Sequence, residues 1–315
     1  MEALQDIANN AGNADATGTN IDLRTVKKKL PLRVLTPEQF ATWQSYGYIV
    51  VPQVVPQEQV EALKSFLWEF QEMDASDPST WNKPQLLEYG LKDLNGSGMV
   101  EAYHHQTLWD NRQSQKIYDV FVDIWDREDL WVTIDRANLN PPNKDKSKFD
   151  GFLHWDIDTT REPLIHNVQA IVTMVDTTPE MGGFQCVPDL FHNFDEWKKT
   201  QPADRDGFHP DRGEYELIQP QLKAGDMLIF NSLMAHGIKV NRSDDVRMAQ
   251  YISMFPAQED NDDLRETRLR LFRDKIAPAG KAFCGDPRRW EKNKYPEAQL
   301  NDLGRKLLGA ASWKD

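Results

Sequence analysis

Two textures of apolar patterning divide the chain. In the first, Val60, Leu63, Leu67 and Phe70 recur at helical spacing, so an amphipathic helix is expected over about 57–71. Ahead of it, Thr36-Pro37-Glu38-Gln39 has the form of a capping box with proline in the first turn, and a short helix should run from there to about Ser45. Gly47 ends that helix, and the β-branched and aromatic run Tyr48-Ile49-Val50-Val51, closed by Pro52, reads as a strand. Residues 75–100 read as a long irregular connection, and Ile117, Val120, Phe121 and Ile124 mark a further helix over 113–127.

The second texture begins near residue 130. Leu130–Leu139, Gly151–Trp155, Val168–Val175, Gly183–Val187, Asp226–Phe230 and Met248–Phe255 are short apolar or alternating runs separated by Pro, Gly, Asn and Asp clusters. Such runs predict an antiparallel barrel or sandwich, because one-sided strands with open edges must be closed or covered. From about residue 260 the chain turns helical and highly charged, over Asp263–Ile276 and again near 296–309. Arg265, Arg268, Arg270 and Arg273, interleaved with acids, read as a solvated helix face or as a subunit contact in a homodimer. Residues 1 to about 30 lack apolar periodicity and end in Lys27-Lys28-Lys29, the pattern of an arm or tail. The chain shows no internal repeat and no clear linker.

Composition narrows the function classes. With 39% hydrophobic and 28% charged residues and ten tryptophans in 315, the chain is neither disordered, collagenous nor a coiled coil. A net charge of −13 argues against nucleic acid or anionic lipid as partner and leaves a small molecule as the expected one. No apolar run is long enough for a membrane helix, and the N-terminal residues lack the layout of a signal peptide, so a soluble cytoplasmic protein is expected. Cys186 and Cys284 have no metal-binding or redox spacing and are expected as free thiols in a reducing compartment.

Of seven histidines, His166, His192 and His209 carry no pattern. His154-Trp155-Asp156 lies where an apolar strand runs out into a polar loop, and residues two apart in extended chain point the same way. His236 follows another such strand. Two histidines and a carboxylate on one face of a metal leave positions open for substrate and dioxygen, and nitrogen and oxygen donors without thiolate suit iron better than structural zinc. Arg247 opens the apolar strand that ends near Phe255. A buried guanidinium there needs an anionic partner, either an internal carboxylate or a bound acid.

Five features taken in order resemble the phytanoyl-CoA dioxygenase family of iron(II)- and 2-oxoglutarate-dependent oxygenases. They are Leu35-Thr36-Pro37-Glu38-Gln39-Phe40 through Gly47-Tyr48-Ile49-Val50, the His154-x-Asp156 pair, Gly182-Gly183-Phe184 leading to Val187-Pro188, Ala224-Gly225-Asp226, and His236-Gly237 followed by Asn241, Ser243 and Arg247. The resemblance spans roughly 35–256 and implies a mainly β fold with α: a double-stranded β-helix, or jelly roll, flanked by N-terminal and C-terminal helices. The implied organisation is an arm over 1–34, the jelly-roll domain over 35–260 and a charged helical extension over 261–315 packed on the same domain.

The resemblance further implies that His154, Asp156 and His236 are the iron ligands and catalytic centre, and that Arg247 grips the distal carboxylate of 2-oxoglutarate, with Ser243 and Arg136 as further cosubstrate contacts. The chain departs from the family twice. Asp189-Leu190-Phe191-His192 follows Val187-Pro188 where Pro-Gly-Ser-His is common, and Ile238 occupies a position often held by serine. Because Asp156 supplies a carboxylate, halogenation is disfavoured. The implied reaction is hydroxylation of a small metabolite or natural-product intermediate, with dioxygen as cosubstrate and release of succinate and carbon dioxide. Desaturation, ring closure and epoxidation begin alike, and a non-catalytic jelly-roll binding or sensing protein is the reading from another class. For substrate contacts, the dense aromatic and polar segment 103–112 offers His105, Trp109 and Arg112, and the neighbourhood of the metal pair offers Trp155 and Arg161.

Overall fold

Residues 18–81, 98–143, 151–280 and 282–314 are described by a computed structural model. The first helix, α1 (Pro37–Tyr46), starts at the expected capping box: the Thr36 hydroxyl accepts the Gln39 N–H, and the Gln39 side chain accepts the Thr36 N–H. Strand β1 (Tyr48–Val51) follows, then α2 (Gln57–Phe70), which buries Val60, Leu63, Phe66, Leu67 and Phe70 along one stripe. After β2 (Met99–Val100) come α3 (Gln106–Arg112) and α4 (Gln115–Trp125). The irregular connection expected over 75–100 falls largely outside the described residues.

Strands β3 (Leu130–Val132), β4 (Ala137–Asn140), β5 (Phe152–His154), β6 (Val168–Thr173) and β7 (Gly183–Cys186) are followed by two short helices, α5 (Pro188–His192) and α6 (Phe194–Thr200). Then come β8 (Met227–Asn231), β9 (His236–Lys239) and β10 (Arg247–Pro256), all strands pairing antiparallel. The larger sheet has the order β1-β8-β6-β10-β4-β2, with β3 also on β10, and the smaller one β5-β9-β7. Two facing antiparallel sheets in this order are the expected jelly roll. The single strand expected over 130–139 is split, because the Asp135 carboxylate takes the Arg136 N–H and interrupts the ladder between β3 and β4.

The larger sheet has two chemically different faces. Its outer face contributes Ala137, Leu139, Val168, Ala170, Val172, Met227, Ile229, Met248, Ile252 and Met254 to a core shared with α2, α3 and α4. Its inner face looks toward the smaller sheet, where Leu228, Phe230, Cys186 and Leu233 form a second apolar cluster. Burial of apolar area on both faces at about 25 cal/mol per Å² is the main force holding the two layers together.

The chain ends are bound into this body. From Thr19, which bridges His166, the N-terminal segment is tied down: the Arg33, Val34 and Leu35 N–H groups donate to the Asp123 carboxylate, and Lys28 reaches Asp126. Of the C-terminal helices, α7 (Asp262–Asp274) sets Phe272 against Trp109 of α3, α8 (Trp290–Asn293) sets Trp290 against Phe70 of α2, and α9 (Asp302–Leu308) packs on β3. Arg270 faces solvent as expected. Arg268 does not: it is fully buried and donates to the carbonyls of Val132, Leu307 and Leu308 across the Trp131 ring. Among the described residues no helix is long and apolar enough to cross a membrane. The cysteines form no disulfide with each other, Cys186 being buried and Cys284 exposed.

Candidate metal and cosubstrate site

His154 ends β5 and His236 begins β9, and the antiparallel register sets these two residues directly opposite each other. The strands come this close because the next residue is Gly237, where a Cβ would lie 1.6 Å from the Phe152 carbonyl oxygen. The imidazole centroids are 4.4 Å apart. Asp156, two residues beyond His154, returns its carboxylate to the pair: Oδ1 lies 3.1 Å from His154 Nε2 and Oδ2 lies 3.4 Å from His236 Nε2. One donor atom from each residue falls within 4.8 Å of the others.

The protonation states suit a cation. Burial works to raise the Asp156 carboxyl, but His236 and His154 beside it, with Gln169 donating to it, hold it down to about 2. Burial, helped by His154, pushes the His236 imidazole down to about 4. His236 Nδ1 faces the Met234 carbonyl at 2.9 Å, so that nitrogen carries the proton and Nε2 presents its lone pair toward Asp156. A carboxylate and two imidazoles without sulfur form a donor set that fits iron(II). Phe184 stacks on His236, Phe230 lies against the same ring at 4.7 Å, and Phe152 lies 5.0 Å from His154, so aromatic walls surround the donors.

Arg247 begins β10 on the inner face, paired in register with Asn140 of β4. Its Nη2 donates to Asn140 Oδ1 at 2.7 Å, and Tyr251, two pleats along the same face, is its other polar neighbour. Asn138 in turn donates to the Tyr251 hydroxyl at 3.0 Å. Gly183, at φ 95°, provides the bed for this side chain: a Cβ there would stand 3.1 Å from Arg247 Cδ. Arg247 is only 5% exposed, and among the described residues no carboxylate pairs with it. Of the alternatives left open by the sequence, the internal salt bridge is therefore absent among those residues. A buried cation without an anion is costly, and an anionic ligand beside it would offset that cost.

The remaining expected site residues are distributed differently. Ser243 bonds the Asn241 side chain at 2.7 Å and the Asp245 carbonyl, shaping the turn that leads into β10. Arg136 is engaged internally, donating to Glu101 and to the Ala282 carbonyl, both at 2.6 Å, with its guanidinium over Phe283. The segment 103–112, which offered candidate substrate contacts, packs against the C-terminal extension. His105 caps α3 and stacks on Phe66 at 3.7 Å, Trp109 is fully buried against Phe272, and Arg112 is fully buried on the carbonyls of Tyr103 and Asp135. Trp155 is likewise closed from solvent, donating to the Leu233 carbonyl and packing on Phe194 and Trp197. A fully buried side chain of this kind has no surface to offer a substrate, so Trp109, Arg112 and Trp155 are corrected to packing residues. Arg161 is exposed and paired with Asp158. Sequence reasoning passed over Gln169, Asn138, Asn140 and Tyr251. Of these, Asn138 and Asn140 left a local signal, alternating with Ala137 and Leu139 in β4.

The family model described as Phytanoyl-CoA dioxygenase (PhyH) matches residues 43–249, a span holding all three donors and Arg247. The chain belongs to the phytanoyl-CoA dioxygenase family. That membership, with the His154, Asp156 and His236 cluster, makes it a 2-oxoglutarate-dependent oxygenase with iron(II) and 2-oxoglutarate as its cofactor pair. Among relatives, it is 23% identical over 277 residues to Ava biosynthesis cluster protein O of Aspergillus versicolor, covering 78% of this chain and 87% of that protein. The crystal structure of GlcNAc Inducible Gene 2 from Candida albicans shares the fold, with a TM-score of 0.61 at 12% identity over 87% of this chain and 76% of that one. The epimerase SnoN, solved with Fe3+, alpha ketoglutarate and nogalamycin RO, is similar at a TM-score of 0.49 and 17% identity over 70% of this chain and 83% of that one.

Proposed function

We propose that this family member hydroxylates an unactivated C–H bond of a small metabolite or natural-product intermediate, converting 2-oxoglutarate and dioxygen to succinate and carbon dioxide as one oxygen atom enters the product. One observation carries the reading: a three-donor cluster with its atoms within 4.8 Å of one another shares the barrel interior with a buried arginine that no carboxylate pairs with among the described residues. His154, Asp156 and His236 would hold iron(II), which when bound supplies the dioxygen chemistry. Arg247 would bind the distal carboxylate of the cosubstrate with its planar fork, held in direction by Asn140 and flanked by the Tyr251 phenol. Phe152, Phe184 and Phe230 would keep water from the donors and give a C–H-bearing substrate an apolar wall. The relative named for the Ava biosynthesis cluster supports a biosynthetic substrate.

The test is anaerobic addition of iron(II) and then 2-oxoglutarate to the metal-free protein, recording the visible spectrum. A charge-transfer band of the chelated keto acid is expected, absent from Asp156→Ala. No band in correctly folded wild-type protein would overturn the reading and favour a binding protein.

A further inference from the structure

The three candidate ligands are supported unequally from behind. His236 has the Met234 carbonyl on its far nitrogen, and the far nitrogen of His154 is buried with no partner among the described residues. Asp156 is held by a side chain: Gln169 Nε2 donates to Asp156 Oδ2 at 2.5 Å. Gln169 belongs to β6, between Phe230 of β8 and Ser253 of β10 in register. That strand buries Val168, Ala170 and Val172 outward, and its inner face carries Gln169, Ile171 and Thr173. Gln169 is half-buried, and Asp156 is the hydrogen-bond partner that its Nε2 finds.

We propose that Gln169 is a positioning residue that keeps Asp156 a one-oxygen ligand, an inference resting on the reading that His154, Asp156 and His236 hold the metal. The carboxamide occupies Oδ2 and leaves Oδ1, on the His154 side, for the cation. Without that bond the carboxylate is free to turn both oxygens onto the metal, and the second would take a position that the keto acid or dioxygen needs. Partners behind metal ligands typically change metal affinity by about 10–100-fold when removed.

Cobalt(II) titration of the full-length metal-free protein, followed by its ligand-field absorption, tests this. Wild-type binding that is lost in Asp156→Ala is the control for the ligand reading itself, and binding retained in Asp156→Ala would overturn that reading. With the control met, Gln169→Met, which keeps the volume and removes the donor, should weaken cobalt(II) binding by roughly 10–100-fold and change the absorption envelope. Its metal-free thermal midpoint should stay near that of wild type. An affinity within about twofold of wild type and an unchanged spectrum would overturn the role of Gln169 alone. If Gln169→Met fails to fold, a crystal structure of the cobalt(II)-loaded wild type decides. Gln169 on the non-ligating oxygen of Asp156 is expected there, and a two-oxygen Asp156 or a Gln169 turned away would overturn the proposal.

Discussion

Arg136 and Arg247 are buried to a similar degree, at 3% and 5% exposure, yet their surroundings are opposite. Around Arg136 the protein supplies its own anions. Glu101 accepts from its guanidinium, from the Tyr103 hydroxyl and from the Gly285 N–H, and Asp135 lies at 3.5 Å. Nearby, Glu291 accepts the Tyr103 and His104 N–H groups. These contacts stitch the C-terminal segment onto the edge of the barrel. Arg247 has an amide and a phenol where Arg136 has carboxylates. Burial alone therefore does not mark function. Around Arg136 the fold has balanced the buried charge with its own carboxylates, and around Arg247, among the described residues, it has not.

The balanced side of this comparison breaks most visibly through stability. Arg136→Met leaves the Glu101 carboxylate buried beside Tyr103, and removing one partner of a buried pair typically costs about 3–5 kcal/mol. Urea unfolding should show a loss of that size, with the affinity of the surviving folded protein for 2-oxoglutarate near that of wild type. A stable Arg136→Met protein that no longer binds the keto acid would place Arg136 in the site and erase the contrast.

A smaller effect separates the seam from the site by pH. Burial pushes the Glu291 carboxyl up to about 7 from the ordinary 4.5, against the N–H groups of Tyr103 and His104 and the charge of Arg112, which work to lower it. The unfolded chain then ionises this group first. As pH rises from about 4.5 to about 7 this residue lowers folding stability, and the penalty is constant above that range. By linkage the penalty is at most roughly 3 kcal/mol. Urea midpoints at pH 5 and pH 8 should differ less in Glu291→Gln than in wild type. An unchanged difference would remove Glu291 from the titrating seam.

The legibility of these two regions in the sequence also differs. Strand alternation is readable because the outer face of the larger sheet is uniformly apolar, and the capping box at Thr36 and the stripe of Val60, Leu63, Leu67 and Phe70 are local signals. His154, Asp156, His236 and Arg247 are readable because charged and ligating groups stand out at the ends of apolar strands. Gln169 and Tyr251 are not, since their meaning lies in which strands the topology makes neighbours. The seam misled for the same reason. His105, Trp109 and Arg112 have the composition of a binding site, but Phe66, Phe272 and the carbonyls of Tyr103 and Asp135 consume them through contacts that local patterning does not encode. Arg268 looked solvated in a charged helix and instead finds three carbonyls across Trp131.

The contrast between balanced and unbalanced buried charge is tested most directly by measuring the 2-oxoglutarate dissociation constant of iron(II)-loaded, oxygen-free Arg247→Met alongside its urea stability. Truncating one side of a buried charge pair typically costs about 2–5 kcal/mol of binding, so at least about a 30-fold weaker affinity is expected, with iron(II) affinity and folding stability close to wild type. Unchanged affinity for the keto acid together with a large loss of stability would show that Arg247, like Arg136, serves the fold.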